Sequence, residues 1–292
     1  MNRPWRVVSL AGSLLVGTVA IPAGAQTALW QRFAIEGGAY EARGDSTLRV
    51  DANASALGTT INFEDDLGLE PTDRVAQGRI EWFLASRHEL SLRGYRTERT
   101  GETGSSPFFR FGDFNFPAGH FVRTSFSLDQ TELAYSYWFL QQPHFGVALE
   151  LGAVEISTRA EVHLTGMSPL PLAARAGVME ERAAVLPLTI VLGVTASAKV
   201  AVPLIGGQFR ALVGNSLILS GGVRFLPGVK VGDSRGDMWL GDVALEWRPL
   251  PHVGIGAAYQ SSRLRLDFSQ SGWHGRADLT TKGPAAFLRL GW

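Results

Sequence analysis

The chain has 292 residues, 18% of them charged, with 27 basic and 27 acidic side chains and no cysteine. The lack of cysteine excludes disulfides, thiolate metal sites and a cysteine nucleophile. Balanced charge argues against a nucleic-acid-binding protein, which normally carries a basic excess, so we expect no nucleic-acid partner. The low charged fraction and the 34 glycines indicate a folded, glycine-rich chain rather than a disordered one.

The first residues have the pattern of a secretory signal peptide. Arg3 and Arg6 give a positive start, residues 7–21 are apolar, and residues 23–25 are the small side chains of a cleavage site. The apolar run is too short, and too rich in Gly, Ser and Thr, for a membrane-spanning helix. The sequence therefore predicts a signal peptide over residues 1–25 and an exported domain over residues 26–292.

Alternation of apolar with small or polar residues indicates strands along the rest of the chain. Trp239, Val243 and Trp247 fall on one face of a strand, and Asp242 and Glu246 fall on the other, because successive side chains point to opposite faces. Such segments predict ten strands, over residues 31–43, 74–85, 88–101, 121–141, 145–162, 197–213, 216–232, 236–248, 252–268 and 275–292.

The strand count stays open between eight, ten and twelve. Residues 163–200 are apolar in part without clean alternation, so an extra hairpin there would give twelve strands. Failure of one crossing pair would give eight. Pro203 lies inside the sixth strand, where it has no N–H to donate, and we expect a bulge or a strand end there.

The pattern fits either a soluble β-sandwich or a transmembrane barrel, and three features favour the barrel. The non-apolar face is rich in small residues and mixed charges, which suits a narrow lumen. Short turns alternate with long connectors, over about residues 43–73, 102–120 and 162–196, as expected for periplasmic turns and outer loops. Aromatic residues, including Phe83 and Trp138, cluster beside the short turns. We expect four of them to form an aromatic girdle at the membrane interface, namely Trp82, Phe139, Trp247 and Trp292.

The last residues, Phe287 to Trp292, place Leu288, Leu290 and Trp292 on one face and end on an aromatic ring. This segment resembles the C-terminal strand of bacterial outer-membrane β-barrel proteins. Residues 58–69 also look like segments of uncharacterised proteobacterial barrels. The resemblance implies an all-β antiparallel barrel in the cell outer membrane. It also implies contact with membrane lipid and lipopolysaccharide, periplasmic chaperones, and recognition of Trp292 by the barrel-assembly machinery.

Strand parity predicts that many charged side chains point into the lumen. The inward acids are Glu36, Glu81, Glu89, Glu132, Glu150, Asp242 and Glu246, and the inward bases are Arg79, Arg93, Arg210, Arg224, Arg248 and Arg289. Isolated buried charges cost several kcal/mol each, so we expect Arg–carboxylate pairs. A barrel of eight to ten strands has room for little more than side chains. The network is interpreted either as a packed, rigid interior or as a narrow polar conduit.

Three groups of residues in the outer loops and at the outer ends of strands are candidate binding sites. A Phe-rich stretch is interpreted as the mouth for a hydrophobic ligand, or as a strand extension packed on other loops; it contains Phe108, Phe109, Phe111, Phe114 and Phe116. An acidic patch of Glu64, Asp65 and Asp66, with Asp73 nearby, suits either calcium or plain solvation. Arg93, Arg96, Arg99, Arg263 and Arg265 suit lipopolysaccharide phosphates at the outer rim, or ion pairs with Glu98 or Asp267.

No motif for catalysis, nucleotide binding or metal binding is recognisable, and the six histidines have no obvious catalytic partners. We therefore expect a monomeric protein that is not an enzyme and has no cofactor or metal. Its expected role is structural or interactive at the cell surface. The alternative is a narrow channel for small or hydrophobic solutes, and a lipid or peptide hydrolase is the least favoured reading.

Overall fold

The computed structural model describes residues 29–52, 59–66, 68–103, 109–111, 114–116, 121–168, 188–231, 234–270 and 273–292. The proposed signal peptide over residues 1–25 lies outside them. The strands are β1 (Phe33–Ala52), β2 (Thr59–Asn62), β3 (Thr72–Ala85), β4 (His88–Thr103), β5 (Phe109–Phe111), β6 (Phe114–Phe116), β7 (Phe121–Gln141), β8 (Phe145–Ser168), β9 (Leu188–Val213), β10 (Leu217–Val231), β11 (Ser234–Leu250), β12 (Val253–Gln270) and β13 (Trp273–Gly291). The described residues contain no helix long and apolar enough to span a bilayer.

Ten of these strands close into an antiparallel barrel. The order is β1-β3-β4-β7-β8-β9-β10-β11-β12-β13, and β13 pairs with β1 to complete the ring. Closure removes the free sheet edges that a bilayer would leave unsatisfied. The prediction of an all-β, ten-stranded barrel is confirmed, and every predicted strand overlaps a strand of the structure.

The ambiguous stretch before the sixth predicted strand does not form an additional hairpin in the part of the chain that the structure describes. Leu188–Val213 is one strand, paired with β8 in a single register from Ser168–Leu188 to Phe145–Ala211. The long connectors were therefore placed too generously, because β1, β8 and β9 extend well past their predicted ends. These extensions project from the side opposite the short turns, which makes them the outer end of the barrel.

Pro203 neither ends β9 nor introduces a bulge against β8, where it pairs in register with Ala153. The expectation of a bulge or strand end is wrong on that side. The ladder between β9 and β10 does stop nearby, at Ile205–Phe225. Continuing that register would place Pro203 opposite Pro227, and neither proline has an N–H to donate. Proline thus limits one ladder without interrupting the strand.

A belt of apolar side chains surrounds the outside of the barrel. It includes Leu149, Val243 and Leu288, whose relative exposures are 61%, 46% and 59%. Such exposure in a folded protein fits contact with hydrocarbon rather than water. Trp82, Phe139, Trp247 and Trp292 all point outward at the end that carries the short turns. Phe83 and Trp138 do not join them, because both rings are buried inside the barrel.

Candidate functional site

The lumen is the candidate site, because parity directs most of the charged strand residues into it. At its centre Glu81 is 3% exposed and contacts three arginines from three strands. The distances are 2.9 Å to Arg79 Nε, 3.1 Å to Arg210 Nη2 and 2.5 Å to Arg289 Nη2. Three guanidinium partners supply the hydrogen bonds that a carboxylate needs when water is excluded.

Further ion pairs join Glu81 to both sides of the barrel. Glu89, with no exposed surface, accepts from Arg210 Nη2 at 3.0 Å. Arg289 also lies 3.8 Å from Glu36 and 4.0 Å from Glu246. Glu246 in turn accepts from Arg248 Nε at 2.5 Å. These contacts connect β1, β3, β4, β9, β11 and β13 through side chains alone.

A second group of charges lies nearer the outer end and centres on Arg224. Its guanidinium bonds to Glu132 and Asp242 and lies 3.4 Å from Glu150. Asp242 also accepts from Arg93 Nη1 at 3.2 Å. Arg93 is on β4 and Asp242 on β11, which are five positions apart in either direction around the ten-stranded ring. This ion pair therefore crosses the full width of the lumen. The thirteen charged residues that the sequence analysis assigned to the lumen all belong to these two groups, which we call the ion-pair layer.

Little space remains within the ion-pair layer. A cavity of about 50 Å³ lies beside Arg79, Arg93 and Asp242, and a second of about 30 Å³ lies beside Tyr95 and Glu132. A buried water needs about 10–15 Å³ of such space, so each cavity has room for a few waters. Neither is large enough for an organic solute.

An apolar layer, which sequence reasoning missed, fills the lumen on the outer side of the ion pairs. Leu240 is two residues from Asp242 on the same inward face, and Val154 is four residues from Glu150. The layer consists of Val154, Ile156, Val202, Leu204, Leu226, Met238, Leu240 and Leu264. Parity alone does not reveal it, because the usual contrast between the two faces is lost or reversed here. Outward Trp239 beside Leu240 is also apolar, whereas Leu264 lies between the outward charges of Arg263 and Arg265. The lumen is thus not filled by charged pairs alone.

An aromatic floor closes the periplasmic end. Trp138 donates from Nε1 to Glu89 at 3.1 Å, and its ring centroid lies 4.9 Å from the Arg210 guanidinium. Phe83 packs against the same ring. Large aromatic residues on an otherwise small-residue inward face were the signal in the sequence for this floor.

A short segment before β1, Leu29–Arg32, crosses the periplasmic mouth over this floor, and we call it the strap. The Trp30 ring lies 4.8 Å from Trp138, and its Nε1 donates to Gln142 O at 2.8 Å. Gln31 Nε2 donates at 2.9 Å to Pro251 O, in the turn between β11 and β12. The sequence predicted a first strand that begins at residue 31, whereas β1 begins at Phe33, so Gln31 and Arg32 were assigned to a strand and the strap was not predicted.

The predicted acidic patch is part of a folded loop at the outer end. Glu64 is bonded to Arg99 at 2.7 Å and to the Ser46 amide at 2.9 Å, and Asp73 accepts from Thr97. Within the described residues, no group of three or more His, Asp or Glu side chains is arranged to hold a metal. The acidic residues therefore order a folded loop rather than forming a free patch.

The predicted arginine rim is partly wrong. Arg93 and Arg99 point inward, to Asp242 and Glu64. The outward pairs are Arg96 with Asp129, and Arg263 and Arg265 with Asp278.

The Phe-rich stretch lies between β4 and β7. Its short strands pair Phe109 with Phe116 and Phe111 with Phe114, which forms a separate two-stranded sheet. Phe108 lies outside the described residues. The hydrophobic-ligand site therefore stays a prediction.

A closed antiparallel barrel with an apolar outer belt, an aromatic girdle and a charged interior defines an integral outer-membrane β-barrel protein. No protein-family model and no curated protein matches the sequence. Among solved structures, the outer-membrane protease OmpT from Escherichia coli is similar to this chain with a TM-score of 0.55. Their sequences are 12% identical, and the match covers 89% of this chain and 96% of OmpT.

Two other outer-membrane barrels match with lower TM-scores. The outer membrane protein OprG from Pseudomonas aeruginosa is 8% identical over 91% of this chain and all of its own, with a TM-score of 0.34. The toluene transporter TodX from P. putida is 6% identical over 92% of this chain and 93% of its own, with a TM-score of 0.35. At these identities the likeness concerns the fold, and the fold places the chain in the outer membrane.

Proposed function

We propose that the protein is a closed, non-conducting barrel with a structural or surface-interaction role in the outer membrane. The observation that carries the proposal is the ion pair between Arg93 and Asp242. The two side chains extend from opposite walls of the lumen and meet with 3.2 Å between Nη1 and Oδ1. The apolar layer lies on the outer side of this contact and the aromatic floor on the periplasmic side. A solute would have to displace all three to cross.

The proposal includes no catalytic step. The partners are outer-membrane lipid and lipopolysaccharide. Assembly as a monomer would use periplasmic chaperones and the barrel-assembly machinery, the latter through Trp292. The Phe-rich stretch is the proposed contact for a hydrophobic ligand or a surface partner.

A narrow channel for small solutes is the second candidate. The observation in its favour is that Arg93, Asp242 and Gln260 line both lumen cavities, so the two spaces adjoin. A rearrangement of these three side chains would join them into one polar path.

Single-channel recording of the refolded protein in a planar bilayer tests the proposal. Silence from a sample that circular dichroism shows to be folded β-structure is expected. A stable conductance whose ion selectivity changes in Glu132→Gln or Arg248→Gln would contradict the proposal and favour the channel. Glu98→Gln is the control, because Glu98 is exposed on β4 outside the lumen and should not change selectivity.

A further inference from the structure

A groove of about 330 Å³ opens at the periplasmic rim between the strap and the end of β3. Its walls are Trp30, Gln31, Arg32, Phe83, Leu84, Ala85, Ser86 and Gln141. Leu84 is 47% exposed and follows Trp82 in the girdle, so the groove is continuous with the lipid-facing belt. An acyl chain that lies against the belt can therefore enter the groove without crossing water.

The charge of this rim differs from that of the outer rim. Arg32 lines the groove, and Arg87 follows Ser86 in the turn between β3 and β4. Both arginines are exposed. Neither has an ion-pair partner among the residues that the structure describes. At the outer end, by contrast, several exposed arginines are paired with carboxylates, as Arg96 is with Asp129 and Arg276 with Asp267.

In the described part of the periplasmic rim, no Asp or Glu side chain in the turns balances these cations. The turns at residues 86–87, 142–144, 214–216 and 251–252 contain no Asp or Glu. The first acidic residue of the sequence is Glu36, which points into the lumen and lies 3.8 Å from Arg289. A rim with unpaired guanidinium groups beside an apolar groove has the chemistry that recognises a phosphate ester attached to an acyl chain.

We propose that this groove binds one anionic phospholipid of the periplasmic leaflet. The acyl chain lies along Leu84 and Ala85, and the phosphate is held by Arg32 and Arg87. The strap forms one wall through Trp30, whose indole bonds to Gln142 O and is fixed on the floor. The inference does not depend on whether the lumen conducts, so it stands or falls separately from the closed-barrel proposal.

Native mass spectrometry of the folded protein in detergent, with equal phosphatidylglycerol and phosphatidylethanolamine, tests the site. Wild type should retain one phosphatidylglycerol, with a preference of about tenfold, which corresponds to about 1.4 kcal/mol. The double variant Arg32→Gln/Arg87→Gln should lose that preference. Arg74→Gln/Arg96→Gln is the matched control, since it removes the same charge from the outer end, and it should retain the lipid.

A third variant separates the groove from general surface charge. Ala85→Trp fills the groove and keeps both arginines, so it should also lose the bound lipid. Retention by Ala85→Trp would overturn the groove as the site, because charge alone would then suffice. Equal retention by the Arg32→Gln/Arg87→Gln variant, or equal binding of phosphatidylethanolamine by wild type, would overturn the recognition of an anionic headgroup. Circular dichroism and heat-modified gel mobility establish that each variant is a folded barrel.

Discussion

The guanidinium of Arg210 lies 4.9 Å from the ring centroid of Trp138, while its Nη2 bonds to Glu89, which also accepts from the Trp138 indole. The cation, the carboxylate and the ring thus form one closed set of contacts. This set joins the aromatic floor to the ion-pair layer, so the two cannot loosen independently. It is also the place where the energetics of the lumen are most directly tested.

Glu89→Gln should destabilise the barrel strongly. The change removes the charge from a side chain with no exposed surface and leaves Arg210 with one carboxylate fewer. Arg210 keeps its contact with Glu81, so the expected loss is that of a hydrogen bond between charged groups, about 1.5–3 kcal/mol, and urea unfolding in detergent micelles measures it. Glu98→Gln on the same strand is the control and should change the unfolding free energy little. Equal stability of the two variants would mean that Glu89 is not paired as described.

Val243→Arg should impair assembly, because Val243 lies in the lipid-facing belt and is 46% exposed. A lipid-facing Arg near the middle of the bilayer costs about 2–4 kcal/mol. The folded fraction after refolding into vesicles, read from gel mobility, is the measurement. Asn215→Arg, in the periplasmic turn between β9 and β10, should fold like wild type. Normal folding of Val243→Arg as a water-soluble protein would reverse our assignment of inside and outside.

Gly146→Ala should release the strap from the floor. An added Cβ at Gly146 would overlap the Trp30 ring, so the indole would have to leave Trp138 and Phe83. Losing such ring contacts costs about 0.5–1.5 kcal/mol and should alter the near-ultraviolet circular dichroism of the tryptophans. Gly37→Ala is the control, since a Cβ there meets nothing within 4 Å. An unchanged spectrum for Gly146→Ala would show that Trp30 does not rest on the floor.

Replacing Pro203 and Pro227 together with Val should lengthen the ladder between β9 and β10. Each valine restores an N–H donor where the pairing now ends at Ile205–Phe225. A new hydrogen bond contributes about 1 kcal/mol, and hydrogen exchange of the amides beyond Ile205 should slow. Pro143→Val is the control, because Pro143 lies in the turn between β7 and β8, outside the ladder between β9 and β10. Unchanged exchange in the double variant would mean that the prolines do not limit the pairing.

Sequence periodicity was sufficient for the fold because a strand has only two faces. Once Trp82 is assigned to lipid, the positions of Glu81 and Phe83 on the other face follow without any long-range information. The same rule cannot tell which inward side chains meet. Glu81 and Arg289 are 208 residues apart in the sequence, and their contact forms only when the whole ring closes.

The features that sequence reasoning missed share a physical reason. In the apolar layer, inward Leu240 lies beside outward Trp239, and inward Leu264 lies between outward arginines, so the alternation in polarity is lost or reversed although the alternation in direction continues. The strap has no repeating pattern, because Trp30 and Gln31 are held by turns that lie far away in the chain. Alternation along a strand shows which residues share a face. It does not by itself show which face is apolar at each level of the barrel.

Arg289 on the last strand bonds to Glu81 on the third, and β1 lies between them. In the bilayer, a sheet in which β1 and β13 have not yet paired would therefore leave carboxylates and guanidinium groups facing hydrocarbon, with their partners still apart. Such an intermediate is costly, because each unpaired charge would have to be solvated or neutralised. The interior thus makes insertion and closure a single cooperative event. The joining of the first and last strands is also the step that brings together ion pairs such as Arg289–Glu81.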